Sequence, residues 1–237
     1  MRIAVLSDIH GNTPALKAII NDIKSNNIDR IIYLGDVVGI GPEPDKCLEL
    51  IMNNNIEMVL GNHELYYVKG TNIDSEMSED EIMHHKWIKR LLNDKHYDFL
   101  SQRPLNITIE ENGYKLMFQH FLIDENTFSE YPFHGFSVLK EEIINKLLDE
   151  LDTDYIFIGH EHRPYEVEYN NKKLIDSGSS GCVYNDITHY TIMDINNDVS
   201  INRHEVKYNR DELIELFKNG NEYPLKAYLS ENFFGIK

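Results

Sequence analysis

Ile56-Glu57-Met58-Val59-Leu60-Gly61-Asn62-His63-Glu64 is the stretch whose reading decides the fold. Its first five residues form a mostly apolar run that reads as a strand, after which Gly61 lets the backbone turn sharply. Asn62 and His63, an amide beside an imidazole, fall at that strand's carboxyl end, where open α/β sheets collect their ligands. The arrangement recurs elsewhere. Ser7-Asp8-Ile9-His10-Gly11 follows Ile3 to Leu6, and Gly35-Asp36 follows Ile31 to Leu34. Gln119-His120 follows Leu116 to Phe118, and Gly159-His160-Glu161-His162 follows Tyr155 to Ile158. Five strand ends are thus tipped with His, Asp or Asn.

Working outward, Ile3 to Leu6 is a continuous β-branched and aliphatic run, the pattern of a strand buried on both faces. Thr13 is placed to cap a helix with Pro14 at its first position and Leu16, Ile19, Ile20 and Ile23 on one apolar face; capping is also the expected role of Asn12. With Ile31 to Leu34 as the next buried strand, the opening is a βαβ unit with a parallel pair. A Gly- and Pro-rich turn at 39–44 leads to a second helix carrying Cys47, Leu48, Ile51 and Met52, and Ile56 to Leu60 is the third strand. Ser75 to Asp94 reads as a helix capped by Ser75 or Ser78, and a short helix follows around Tyr97 to Leu100.

From Leu105 the period changes towards two. Asn106 to Ile109 and Tyr114 to Phe118 read as a hairpin around Glu111-Asn112-Gly113. Phe121 to Phe136 is a long aromatic loop, of the kind that serves function or moves. Val138 to Leu151 reads as a helix and Tyr155 to Ile158 as a strand. Tyr165 to Tyr169, Lys173 to Asp176, His189 to Ile195 and Val199 to Val206 have the pattern of antiparallel strands. Arg210 to Lys218 and part of the tail from Glu222 to Lys237 read as helices. The chain is α/β: two sheets packed face to face with helices outside.

At 237 residues and 41% hydrophobic, the sequence can bury a substantial core and most simply forms one domain, 1–237. Asp and Glu number 40 against 23 Lys and Arg, a net charge of -17. Such a surface repels long nucleic acids and anionic membranes, whose binding needs a basic footprint. Two cysteines, Cys47 and Cys182, make no disulfide framework and fit a reducing compartment. No window approaches the ~18 apolar residues of a membrane span. The expected location is the cytoplasm.

Taken singly, an Asp-x-His or Gly-Asp after a strand reads as a cap or turn. Histidines, an amide and carboxylates of the kinds that bind first-row metals, all following buried strands, would be a costly coincidence as turn residues. A pair of divalent ions supplies the positive charge that lets such groups converge. The remaining histidines, His84, His85, His96, His134, His189 and His204, read as surface or core residues, with His134 alone placed in a loop able to cover a site. Arg163 reads as solvated. Ser177-Gly178-Ser179-Ser180-Gly181 lacks the Lys and following helix of a P-loop and reads as a loop near a pocket rim, with Cys182 a free thiol.

In their order, Asp8-Ile9-His10, Gly35-Asp36, Gly61-Asn62-His63-Glu64, His120 and Gly159-His160-Glu161-His162 resemble the signature of the calcineurin-like metallophosphoesterase superfamily, and of its small bacterial phosphoesterases in particular. The resemblance implies a four-layer α/β/β/α sandwich of two mixed sheets flanked by helices. It implies two divalent metal ions, Mn²⁺ first, with Fe, Zn, Co or Ni admitted by the mixed oxygen and nitrogen donors. Asp8, His10, Asp36 and His162 would hold the first ion, and Asp36, Asn62, His120 and His160 the second. Asp36 would bridge through its two carboxylate oxygens. His63 would act on the phosphate or the leaving oxygen, with Glu64 either orienting it or serving as a helix-start carboxylate.

The implied reaction is hydrolysis of a small phosphodiester or phosphomonoester by water activated between the ions. Two features depart from the pattern. Val37, Val38, Gly39 and Leu60 stand where protein phosphatases and dinucleoside tetraphosphatases of the superfamily place phosphate-clamping arginines, and Phe121 follows His120 in place of Gly. Alternatives are a non-catalytic binding scaffold of the same fold, which retention of His63 disfavours, and a nucleotide or nucleic-acid phosphodiesterase, which the acidic surface disfavours.

Overall fold

The computed structural model describes residues 1–121 and 141–237. The loop expected over 121–136 therefore lies, beyond Phe121, outside the described residues, as do His134 and the start of the helix expected from Val138.

The chain opens with strand β1 (Arg2–Leu6), helix α1 (Thr13–Ile23) and strand β2 (Arg30–Tyr33), the expected βαβ unit, with β1 and β2 paired in parallel. Asn12, not Thr13, caps α1: its side-chain oxygen accepts from Ala15 N at 3.1 Å, while Thr13 is already helical and packs its hydroxyl on the Cys47 thiol. Helix α2 (Pro44–Asn53) leads to β3, which spans only Glu57–Met58 and pairs in parallel with β2. The expected strand is cut short because Leu60 N donates to Pro104 O rather than to a strand. Helix α3 (Asn62–Lys69) begins inside the motif itself. A capping box formed by Ser78 and Glu81 starts α4 (Glu79–Leu91), and Asn93 caps α5 (Asp94–Ser101).

Strands β4 (Asn106–Glu111) and β5 (Tyr114–Gln119) form the hairpin. After α6 (Glu141–Glu150) come β6 (Tyr155–Ile158), β7 (Tyr165–Tyr169), β8 (Lys172–Asp176), β9 (Ile187–Ile195) and β10 (Val199–Lys207), then α7 (Arg210–Asn219) and α8 (Lys226–Phe234). Two mixed five-stranded sheets result, ordered β10-β9-β1-β2-β3 and β4-β5-β6-β8-β7. One strand departs from the antiparallel expectation: β8 runs parallel to β6 and antiparallel only to β7.

Alternation along β1 sorts its side chains between two cores, as a strand buried on both faces requires. Ile3 and Val5 point into the layer between the sheets with Ile32, Leu34, Leu116, Phe118, Phe157, Ile175 and Met193. Ala4 and Leu6 point outward against α1, α2, α7 and α8. On the far side, Leu148 of α6 covers Ile156, Ile158 and Leu174. The carboxyl ends of β1, β2, β5 and β6 therefore open at one edge of the sandwich.

Phe118 and Phe157 are fully buried and stacked with ring centroids 5.2 Å apart. Phe157→Ala opens a cavity between the sheets and is expected to cost about 3–5 kcal/mol in urea unfolding.

Candidate metal centre

Each site-bearing loop is held by backbone hydrogen bonds to its neighbours. The loop after β1 binds the loop after β2 through Asp8 N to Gly35 O, His10 N to Asp36 O and Gly11 N to Val37 O, each 3.1 Å. The loop after β6 binds the others through Gly159 N to His120 O at 2.9 Å and His160 N to Asp8 Oδ2 at 3.1 Å. Tyr33 ties the first two loops from beneath: its hydroxyl accepts from Ile9 N at 2.8 Å and donates to Asp36 O at 3.1 Å.

The cost of this convergence is visible in the backbone. Asp8, His10, Asp36, His160 and His162 all have left-handed φ, between 45° and 73°. Such a conformation costs a non-glycine residue roughly 1–2 kcal/mol and persists only where surrounding contacts enforce it. Gly61 must be glycine for a different reason: a Cβ there would lie 2.2 Å from Asp36 Oδ1.

The donors meet in two overlapping groups. Asp8 Oδ1 lies 3.7 Å from His10 Nε2 and 3.5 Å from His162 Nε2, and those two nitrogens are 3.0 Å apart. Asp36 Oδ2 lies 3.8 Å from His10 Nε2, 4.0 Å from His63 Nε2 and 3.1 Å from His120 Nε2. Asn62 Oδ1 lies 3.2 Å from His120 Nε2 and 3.0 Å from His160 Nδ1. All eight residues expected from the sequence are thus brought together. The two oxygens of Asp36 do not divide as expected, however. Oδ1 accepts from the backbone N–H of His63 at 3.0 Å, so Oδ2 alone faces both groups.

Metal cations fit this donor set on observations within the hollow. Asp8 Oδ1 is buried with no hydrogen-bond donor. His120 Nδ1 lies 2.8 Å from Leu34 O and so must donate to it, which in the neutral ring leaves the Nε2 lone pair aimed at two oxygens, Asp36 Oδ2 and Asn62 Oδ1. Acceptors facing acceptors need a proton or a cation between them. Without one, the rings serve as the cations. Burial opposes charge on His120, but Asp36 and Asp8 override it and raise its pKa to about 9. Burial likewise pushes the Asp8 carboxyl up, yet His120 and His162 hold it at about 2. His10, fully desolvated, falls to about 3, and burial also lowers His63 well below the ordinary value.

Glu64 is the helix-start carboxylate, one of the two roles expected of it, and does more than that. Its carboxylate accepts from Gly61 N at 2.9 Å as the reciprocal arm of the α3 cap, and also from Asp36 N at 2.7 Å, Val37 N at 2.9 Å and Val38 N at 3.1 Å. It braces the Asp36 loop rather than the His63 ring. Burial and the nearby Asp36 charge push its pKa up to about 7 against those four donors.

His63 instead packs edge-on against Tyr66 and lies 5.0 Å, ring to ring, from His85, a buried residue that carried no functional signal in the sequence. His84 accepts from Ile40 N and bonds Pro224 O, and His189 bonds Ser177 O and Arg203. His96 sits at the cap of α5 and His204 pairs with Asp22. Phe121, the departure after His120, is buried with its ring edge-on to both His120 and His160. Sequence reasoning also missed Cys182, whose sulfur lies within 4.8 Å of ligand atoms of His10 and His162.

Comparison with known proteins agrees with the fold and motifs. The description of the calcineurin-like phosphoesterase family matches residues 1–164, and the chain belongs to that family. It is 34% identical over 176 residues to an uncharacterised protein of Methanocaldococcus jannaschii, covering 74% of this chain and 68% of that one. In structure it is similar to a metallophosphoesterase from Sphaerobacter thermophilus, with TM-score 0.73 and 23% identity over 97% of this chain and 98% of the other. It is also similar to a hypothetical protein from Pyrococcus horikoshii, with TM-score 0.74 and 19% identity over 100% and 99%. At those identities the structural likeness speaks to the fold.

Glu64→Gln replaces one accepting oxygen with an amide that faces buried N–H donors. It is expected to destabilise the protein by about 2–3 kcal/mol, read from chemical denaturation.

Proposed function

We propose that this protein is a metal-dependent phosphohydrolase that uses two divalent ions to hydrolyse a small phosphodiester or phosphomonoester. In this reading Asp8, His10, Asp36 and His162 would hold one ion and Asp36, Asn62, His120 and His160 the other, with Asp36 common to both sets. The supporting observation is the acceptor-rich hollow, with Asp8 Oδ1 buried and donorless beside three imidazoles. When bound, the ions supply positive charge for the phosphate and lower the pKa of an attacking water.

The chain's own groups do the rest. Asn62, as an uncharged oxygen donor, completes the second position without adding negative charge against a phosphate. His63 stands beside His10 and Asp36 with its Nε2 towards Asp36 Oδ2 and its ring pressed against Gly39, where a Cβ would lie 2.3 Å from Nδ1. Desolvation keeps the ring neutral in the free protein, so a ring N–H donates to a phosphate oxygen; the charge of a bound ester favours its protonation and hence proton delivery to the leaving oxygen.

A net charge of -17 favours a small ester over a long nucleic acid. Among the described residues no helix is long and apolar enough to cross a membrane. The proposed setting is the cytoplasm. Residues 1–237 are read as one phosphoesterase domain, because β9 and β10 complete the sheet that β1 begins.

Hydrolysis of bis- and mono-nitrophenyl phosphate in the presence of Mn²⁺, Zn²⁺ or Co²⁺ tests the reading. His63→Asn is expected to lower kcat by about 10²-fold or more, and Asp36→Asn to abolish metal-dependent turnover. A His63→Asn enzyme with wild-type turnover would remove His63 from the chemistry. Metal at 100 times its Kd is expected to raise stability by about 2.7 kcal/mol in wild type and not in Asp36→Asn, measured by thermal unfolding before and after chelation.

A further inference from the structure

Cys182 sits where no rim residue was expected to reach. The 177–182 loop is fastened to the loop carrying Asp8 and His10 by a run of hydrogen bonds: Ser180 N to Ser7 O at 2.8 Å, Gly181 N to Asp8 O at 3.1 Å, Ser179 Oγ to Asp8 O at 2.7 Å and Asn12 Nδ2 to Gly181 O at 2.8 Å. The approach is close enough that a Cβ on Gly181 would lie 1.9 Å from Ile9 O. Cys182 N in turn donates to Ser179 Oγ at 2.7 Å. The thiol is therefore carried by the same rigid assembly as Asp8 and His10.

Its sulfur lies within 4.8 Å of the ligand atoms of His10 and His162. An ion with bonds of about 2.0–2.1 Å to nitrogen and about 2.3 Å to sulfur places those atoms about 3.1 Å apart at a right angle, as in a five-donor shell that includes Asp36, and about 3.6 Å apart at the tetrahedral angle. From 4.8 Å, a closure of at most about 1.7 Å brings the sulfur into that shell. The second, independent pointer is Asp8 Oδ1, fully buried, without a hydrogen-bond donor, and aimed at the same space between His10 and His162.

We infer that Cys182 is an additional, sulfur ligand at the first cation position, beside Asp8, His10 and His162, and that it biases this position towards a borderline-soft ion of the zinc class over Mn²⁺. The inference rests on the two-metal reading above and adds to it a donor of a different class. Carboxylates and imidazoles alone accept manganese readily; a thiolate favours Zn²⁺, Co²⁺ or Fe²⁺. On coordination the Cys182 S–H bond breaks, its proton leaves to solvent, and the sulfur lone pair forms the bond to the ion.

Cobalt reports on the sulfur directly. The full chain, loaded with two equivalents of Co²⁺, is expected to show a sulfur-to-cobalt charge-transfer band in the near ultraviolet. Cys182→Ser is expected to lose that band while still binding cobalt, and Cys47→Ala to keep it. In competition between Zn²⁺ and Mn²⁺, Cys182→Ser is expected to lose zinc preference by about tenfold or more, since even outer-shell losses cost that much. A measurement on the unmutated chain completes the test: iodoacetamide labels Cys182 in the metal-free protein, reached through a cavity of about 270 Å³ that Cys182 shares with His162 and Tyr184, and Zn²⁺ protects it. Two bound cobalt ions with no charge-transfer band, or zinc that leaves labelling unchanged, would overturn the role of Cys182 and leave the two-metal reading standing. Failure of the wild type to bind cobalt, or equal binding by Asp8→Asn, would instead overturn the two-metal reading.

Discussion

Everything at the edge of this sandwich answers to the Asp36 carboxylate. It is buried between β2 and α3, its Oδ1 is taken by the backbone of His63, and its Oδ2 faces three imidazoles. A negative charge in so dry a place must be matched, and the matching groups come from four other segments of chain. The Asp36 backbone is itself gripped by Glu64. Two carboxylates thus divide the labour: Glu64 shapes the loop, and Asp36 presents its charge.

The left-handed residues show what this requires of the backbone. Five of the seven residues read as ligands sit in a conformation that isolated non-glycine residues avoid. They are tolerated because each loop is hydrogen bonded to the next, and because the strands behind them are locked in a core on both faces. The rigidity of the two sheets is what allows the loops to be strained, and the strain is what turns the side chains inward instead of letting them fray towards water.

Much of this was legible in the sequence. Short apolar runs followed at once by Asp, Asn or His have a simple physical reading, and all eight residues singled out that way, from Asp8 to His162, meet at one edge. The opening βαβ unit and the β4–β5 hairpin followed from periodicity and turn residues. Tertiary partners decided the rest. That β3 shrinks to two residues depends on Pro104 O taking the Leu60 amide, and that β8 runs parallel to β6 depends on a chain reversal no local pattern encodes. Glu64 looked like a helix-start residue because it is one, but three of its four donors come from 26 to 28 residues away. Cys182 gave no signal because a single thiol after a Gly- and Ser-rich loop looks the same whether it faces water or His162.

The pairing of β1 with β9 carries a consequence for how the molecule comes into being. Ala4 lies opposite Ile192, and Met1 N bonds Ile195 O, so β1 is flanked by a strand far along the chain from it. On a ribosome, the Asp8 loop cannot close against Ser179 to Gly181 until those residues have been translated, and closing so long a span is slow. Until then the donor set lacks His160 and His162, and the Asp8 loop lacks the contacts that hold its left-handed backbone.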